Sequence, residues 1–167
     1  MSDAVEWSIH CCTLLAALPE DQALPAGRLA EYHDVPPAYL AKALQSLAAA
    51  EIVESRPGPL GGYRLARSPA DVSLLDIVLA VDGDASAFRC REIRQRGPGA
   101  VPDREAYRLP CGIARAMWRA EDAWRAELAA TSVGDMVVDF LTHASPTRVQ
   151  RGIEWVQEVH VQRRSRT

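Results

Sequence analysis

Cys90 and Cys111 are the residues of this 167-residue chain best suited to do chemistry, because they bracket a loop punctuated by arginine and proline. Metal binding or redox chemistry is the default expectation for such a pair in a chain without a secretory signal. Two thiolates are too few for a complete iron-sulfur ligand set, so further donors must come from elsewhere. The other two cysteines, Cys11 and Cys12, are adjacent inside a helical pattern and point in different directions. One or both read as small core residues, not ligands.

The composition narrows the setting of that chemistry. With 48% apolar and 25% charged residues, the chain is an ordinary globular protein, long enough for one domain or a small domain with an appendage. No apolar run approaches the ~18–20 residues of a membrane span. The first six residues carry Asp3 and Glu6 where a signal peptide would be basic, so a cytoplasmic, reducing compartment is expected. The net charge of -3 argues mildly against nucleic acid as a total, but its distribution does not. Residues 1–70 carry five Lys/Arg against eight Asp/Glu, whereas residues 89–119 carry eight Arg against three Asp/Glu. The positive field is concentrated around the cysteine loop.

The elements that must position these groups follow from periodicity. Helical spacing runs from Ala4 to Leu18, with Asp3 as a candidate cap and Pro19 as the stop. After a turn over Glu20 to Leu24, a short helix runs from Pro25 to Glu31, broken over His33 to Pro36, and a third spans Pro37 to Ala50 with an apolar stripe of Leu40, Ala43, Leu44 and Leu47. Three helices with a break before the third give the helix-turn-helix order. Ile52–Ser55 and Tyr63–Leu65 flank a Pro/Gly-rich turn and predict a β-hairpin wing. Val72 to Val81 predicts a helix capped by Ser73 and ended by Asp82-Gly83, and 84–110 predicts a long loop with at most a short helix near Cys90. Cys111 to Ala130 is a long amphipathic helix with the length and apolar faces of a dimerisation helix, followed by a short helix from Val133 to Leu141. The tail over 147–167 reads as helical and packed to about Val161, before the basic end Arg163-Arg164-Ser165-Arg166. The fold class is therefore mainly α with a small β-hairpin wing: a winged helix-turn-helix DNA-binding domain (1–83), a cysteine loop (84–110), a dimerisation helix with the short helix after it (111–145) and a C-terminal tail (146–167).

Three stretches carry a family resemblance: the helix-turn-helix ending in Val35-Pro36-Pro37-Ala38-Tyr39-Leu40-Ala41-Lys42-Ala43-Leu44, the wing Gly61-Gly62-Tyr63-Arg64-Leu65, and Ser73-Leu74-Leu75-Asp76-Ile77-Val78 leading to Val81-Asp82-Gly83. In family order, and through Ala130, the chain resembles the Rrf-type winged-helix transcription regulators, the IscR/NsrR family. That resemblance implies a homodimer that binds double-stranded DNA, often under control of an iron-sulfur cluster held by the loop before the long helix. Members with three loop cysteines have one more between the two, where this chain has Glu105-Ala106-Tyr107-Arg108-Leu109, so that ligand set is impossible here. Val5-Glu6-Trp7, His10-Cys11-Cys12, Glu92 to Pro98 and Ile113 to Met117 resemble instead the RsrR-type redox regulators of the family. This resemblance implies a [2Fe-2S] cluster with mixed cysteine, glutamate and histidine ligands.

Spacing agrees with that implication. Glu6 and His10 are four residues apart, hence on one helical face with Cβ atoms about 5–6 Å apart. Together with Cys90 and Cys111 they make four protein ligands for two irons. In a family dimer the first helix of one subunit lies near the partner's loop, so the cluster would join two chains. The alternatives are Glu6 as a helix-terminus charge, His10 as a packing residue and the two cysteines as free thiols. Trp7, between the two proposed ligands, is a redox-switch candidate. For DNA, Ala38, Tyr39, Lys42 and Gln45 face outward on the recognition helix. Arg56 in the wing is displaced by one position from the family's usual arginine before the glycine, which puts minor-groove reading by it in doubt. The reading is a cytoplasmic transcription regulator with a homodimer partner and an operator, no membrane and no small-molecule substrate. The chain has no catalytic acid–base constellation and no cofactor-binding glycine motif. A clusterless thiol regulator and an iron-sulfur electron carrier are the competing readings.

Overall fold

Every third or fourth residue of the first helix is apolar or small, and that face is what the structure buries. The computed structural model describes residues 1–19 and 21–165; Glu20 in the first expected turn and Arg166 in the basic end lie outside the described residues. Helix α1 (Asp3–Ala16) turns Val5, Ser8, Cys11, Cys12 and Leu15 inward. Asp3 is not the cap. Ser2 precedes the helix in an extended conformation, and its backbone N–H donates to Asp82 at 2.9 Å, so the first helix is tied to the end of the fourth. The hydrogen bond from the Ser2 hydroxyl holds the Asp82 carboxyl below the usual range.

Helix α2 (Ala26–His33) runs two residues past its predicted end. Its stop is the left-handed Asp34 (φ 52°), whose N–H closes the last turn. Helix α3 (Pro37–Ala49) starts on Pro37 and buries Leu40, Ala43, Leu44 and Leu47. Each of its fully buried leucines stabilises the fold by about 1.5–3 kcal/mol relative to exposure. The wing pairs β1 (Val53–Arg56) antiparallel with β2 (Gly62–Leu65), Val53 opposite Leu65 and Arg56 opposite Gly62. The first strand begins one residue later than predicted because the Ile52 N–H is used to close the end of α3, donating to the Leu47 carbonyl at 2.9 Å. Gly62 has φ 144°, and a Cβ there would stand 2.4 Å from the Leu24 carbonyl carbon; the close approach lets Leu24 and Tyr63 exchange backbone hydrogen bonds.

Helix α4 (Leu74–Asp82) opens with a full capping box, Ser73 and Asp76 each bonding the other's backbone N–H. The segment 84–110 contains two 3-10 turns, Ile93–Gln95 and Arg104–Tyr107, instead of one short helix. Helix α5 (Gly112–Ala130) follows, then α6 (Val133–His143) and α7 (Pro146–Arg164). No helix among the described residues is long and apolar enough to cross a membrane.

The core gathers α1, α2, α3, α4 and the base of the wing, and α7 closes it by burying Trp155 and Val159. The tail is thus a wall of the fold. Near its end the Arg163 guanidinium donates to the carbonyls of Ala23 (2.8 Å), Pro59 (3.0 Å) and Gly61, clasping the root and tip of the wing. Helix α5 differs from all of these. It buries Ala114 alone and exposes Ile113 (69%), Met117, Trp118 and Trp124.

His33, at the end of α2, is half-buried with its ring centroid 5.7 Å from that of His10. Burial, reinforced by the neighbouring His10, pulls its pKa down to about 4. Between pH 6.5 and 4 the unfolded chain therefore binds more protons than the folded one, and stability falls as pH drops through that window. Urea midpoints should fall by the equivalent of roughly 1–2 kcal/mol between pH 7 and pH 4, after allowance for solvent screening, and His33→Leu should remove most of that slope.

Candidate metal centre

The loop between α4 and α5 is held at its start by charged groups, at its end by a helix cap and at its middle by an arginine. At the start, Ser86 Oγ donates to Glu121 of α5 at 2.6 Å and the Ala87 N–H to the same carboxylate at 3.3 Å, while Arg125 reaches Asp84 at 2.6 Å. At the end, Cys111 is the N-cap of α5, and its Sγ accepts the Ala114 N–H at 3.2 Å. A thiol in that place faces the positive end of the helix.

Between these anchors the chain doubles back. Glu92 takes the left-handed conformation (φ 48°, ψ 53°), which for a residue with a side chain costs about 1–3 kcal/mol and persists only where the surroundings impose it. Arg94 imposes it. Its guanidinium bonds both Glu92 oxygens, at 2.8 and 2.7 Å, and donates to the Leu109 carbonyl at 3.0 Å. The same group lies 5.6 Å from the Tyr107 ring centroid, and the Tyr107 hydroxyl donates to the Arg94 carbonyl at 3.1 Å. The Val101 N–H completes the knot by donating to that hydroxyl at 2.7 Å. Arg94 holds the Glu92 carboxyl below the usual range; Glu92, and the two cysteines more weakly, hold Arg94 more firmly protonated than a free arginine.

The result is that Cys90 Sγ, Cys111 Sγ and a Glu92 carboxylate oxygen lie within 4.8 Å of one another, all half-buried. The structure brings the two predicted thiols together and adds a third donor that the sequence reading missed. The Cys90-x-Glu92 spacing was the available signal, but it acquires meaning only through the left-handed turn at Glu92, which no periodicity announces.

Glu6 and His10 stand elsewhere. Both are exposed on the outer face of α1, and among the described residues neither belongs to a group of three or more metal-ligating side chains within one chain. They line a largely apolar cavity of about 1080 Å³ whose walls include Trp7 from α1, Phe140 from α6 and Val156 from α7. Trp7 is half-buried against the core. Cys11 and Cys12 are fully buried, and burial pushes the Cys11 thiol up to about 12 and that of Cys12 further, so neither supplies a thiolate.

On the helix-turn-helix, Ala38, Tyr39, Lys42 and Gln45 share the exposed face of α3, with Tyr39 68% exposed. Arg56 lies in the wing, its Nε 3.5 Å from Glu54. Arg64 also pairs with Glu54.

Comparison with known proteins fits this architecture. The family model described as Rrf2, iron-dependent transcriptional regulator, matches residues 1–139. YwgB of Bacillus subtilis, named as an HTH-type transcriptional regulator, is 30% identical over 124 residues, covering 74% of this chain and 75% of its own. MT1325 of Mycobacterium tuberculosis, named in the same way, is 28% identical over 137 residues, 81% of this chain and 80% of its own. Among solved structures, CymR, the global cysteine regulator of B. subtilis, superposes with a TM-score of 0.64 at 22% identity, over 83% of this chain and 95% of that one. T. potens IscR gives 0.62 at 20% identity, over 83% and 86%.

Arg94 is the common member of the loop's hydrogen bonds, so Arg94→Ala should raise amide hydrogen exchange across 92–110 by about tenfold, the equivalent of ~1.4 kcal/mol of local opening. Protection in α1 to α4 should not change.

Proposed function

Because the chain belongs to the Rrf2 family of iron-dependent transcriptional regulators, we propose that it works as a homodimer whose operator affinity follows the oxidation state of a [2Fe-2S] cluster. Family and relatives make it a DNA-binding regulator and not an enzyme. The observation that carries the cluster reading is the approach of Cys90 and Cys111 to within 4.8 Å at the N-terminus of α5. Two sulfurs on one tetrahedral metal ion, with bonds of about 2.3 Å, sit about 3.8 Å apart, so the pair suits a single iron after a small contraction. Glu6 and His10 are the proposed ligands of the second iron. They are exposed, share one face of α1 and have no partner in the thiol site of their own chain, which favours donation across the dimer.

The dimer has a surface to form on. Ile113, Met117, Trp118 and Trp124 are exposed along α5, more large apolar surface than a solvent-facing helix carries. A centre with imidazole and carboxylate in place of two thiolates would supply reversible one-electron chemistry at a raised potential. The chain's own part is to hold that charge against α1. Trp7, between the two proposed ligands and half in the core, is placed to convert a change of charge or ligand position into a change in how α1 packs. Lys42, Gln45, Tyr39, Ala38 and Arg56 form the proposed DNA surface. Lys42 and Arg56 suit phosphates and Gln45 suits a base edge.

A thiol-based regulator is the second reading, favoured by the same sulfur proximity. A two-electron oxidant such as a peroxide would join Cys90 and Cys111 as a disulfide, taking up the two electrons while the two thiol protons leave with the reduced oxidant.

Anaerobic purification with absorption spectra and iron and sulfide counts separates the two. The wild type should be coloured, with two irons and two sulfides per cluster. Glu6→Ala, His10→Ala, Cys90→Ala and Cys111→Ala should each lose or destabilise the cluster. Colourless, iron-free wild-type protein overturns the cluster reading. Trp7→Ala should keep the colour and lose the difference in operator affinity between oxidised and reduced protein.

On the DNA side, Lys42→Ala should weaken binding about equally across operator variants. It should reduce the slope of log affinity against log salt by about 1, measured by fluorescence anisotropy at several salt concentrations.

A further inference from the structure

We propose that Cys90, Glu92 and Cys111 of a single chain form a zinc site, filled when the cluster is absent. The set is two soft thiolates and one carboxylate, a donor combination that suits tetrahedral zinc with a fourth position open to water. In such a site, bonds of about 2.3 Å to sulfur and about 2.0–2.2 Å to oxygen place the donors about 3.5–3.8 Å apart. The three atoms already lie within 4.8 Å, so the loop needs only a small contraction and no partner subunit.

Three features, the first two of them coupled, make this a built site and not a chance grouping. Glu92 is held in the left-handed conformation that turns its carboxylate toward the thiols. Arg94 bonds both oxygens of that carboxylate, which fixes its orientation and leaves lone pairs for a metal, as partners behind metal ligands commonly do. The Ala114 N–H is aimed at Cys111 Sγ and satisfies that sulfur from the protein side. Binding is a simple exchange. Each thiol that still carries its proton releases it to solvent, the two sulfurs and one carboxylate oxygen bond the ion, and no electron moves.

The site shares its thiolates with the proposed cluster but does not depend on it. Zinc and the cluster compete for the same two sulfurs, so zinc-loaded protein resists cluster assembly.

The test uses the full chain, freed of metal with chelator and kept reduced, titrated with Co2+ as a spectroscopic stand-in and then displaced by Zn2+. The expected result is one Co2+ per chain, with thiolate-to-cobalt absorption in the near ultraviolet and the intense visible bands of tetrahedral cobalt. Cys90→Ser should abolish these bands, and Glu92→Gln should weaken binding at least tenfold. Glu92→His should recover binding, because imidazole ligates zinc and cobalt but cannot pair with Arg94; this separates ligation from loss of the Glu92–Arg94 contact. Glu6→Gln and His10→Ala should bind Co2+ like the wild type. Wild-type affinity in Glu92→Gln, failure of Glu92→His to recover binding, or loss of the bands in His10→Ala overturns the proposal. If Co2+ binds as described while the protein never takes up iron and sulfide, the cluster reading fails and the zinc site stands.

Discussion

The burial of one face of α1 is the constraint on which the rest of the molecule depends. Val5, Ser8, Cys11, Cys12 and Leu15 pack inward against α3, α4 and the helices that follow α5, and Ser8 satisfies its own hydroxyl by donating to the Ala4 carbonyl at 2.7 Å. Helical geometry then leaves Glu6 and His10 no choice of side. They must face outward, into the cavity shared with α6 and α7, with Trp7 at the boundary between core and cavity. A helix with two polar faces would leave the ligands of the proposed second iron undirected.

The cysteine loop follows a different physical logic. It buries little apolar surface, and its shape comes from the hydrogen bonds of Arg94 and Tyr107 and the carboxylates of Glu92 and Glu121. Such a loop is ordered by a few polar contacts instead of by packing. It can therefore open at lower free energy than the packed helical core.

This difference explains what could be read in the amino-acid sequence. The helices, the hairpin wing, the Ser73 cap and a core place for one or both of Cys11 and Cys12 follow from period, cap and turn chemistry, and the structure bears them out within a few residues, burying both cysteines. Exposed apolar residues along α5 were legible for the same reason, since an amphipathic period shows whether or not its partner is present. The third donor of the thiol site was not legible. Glu92 joins Cys90 and Cys111 only because of a left-handed backbone turn and a bidentate arginine, and neither leaves a periodic trace. Nor was the clasp between Arg163 and the wing, a contact across more than a hundred residues that no local pattern encodes.

That clasp bears on how such a protein can diversify. The wing groups that Arg163 holds are main-chain carbonyls, those of Pro59 and Gly61, along with that of Ala23 beneath them. Support of this kind does not read the side chains of the hairpin tip, although Gly61 itself must stay glycine, because a Cβ there would collide with the Arg56 carbonyl. An exposed side chain such as Leu60 can be exchanged while the wing keeps its pose, so an evolving lineage could alter the chemistry of the tip without first rebuilding the scaffold beneath it.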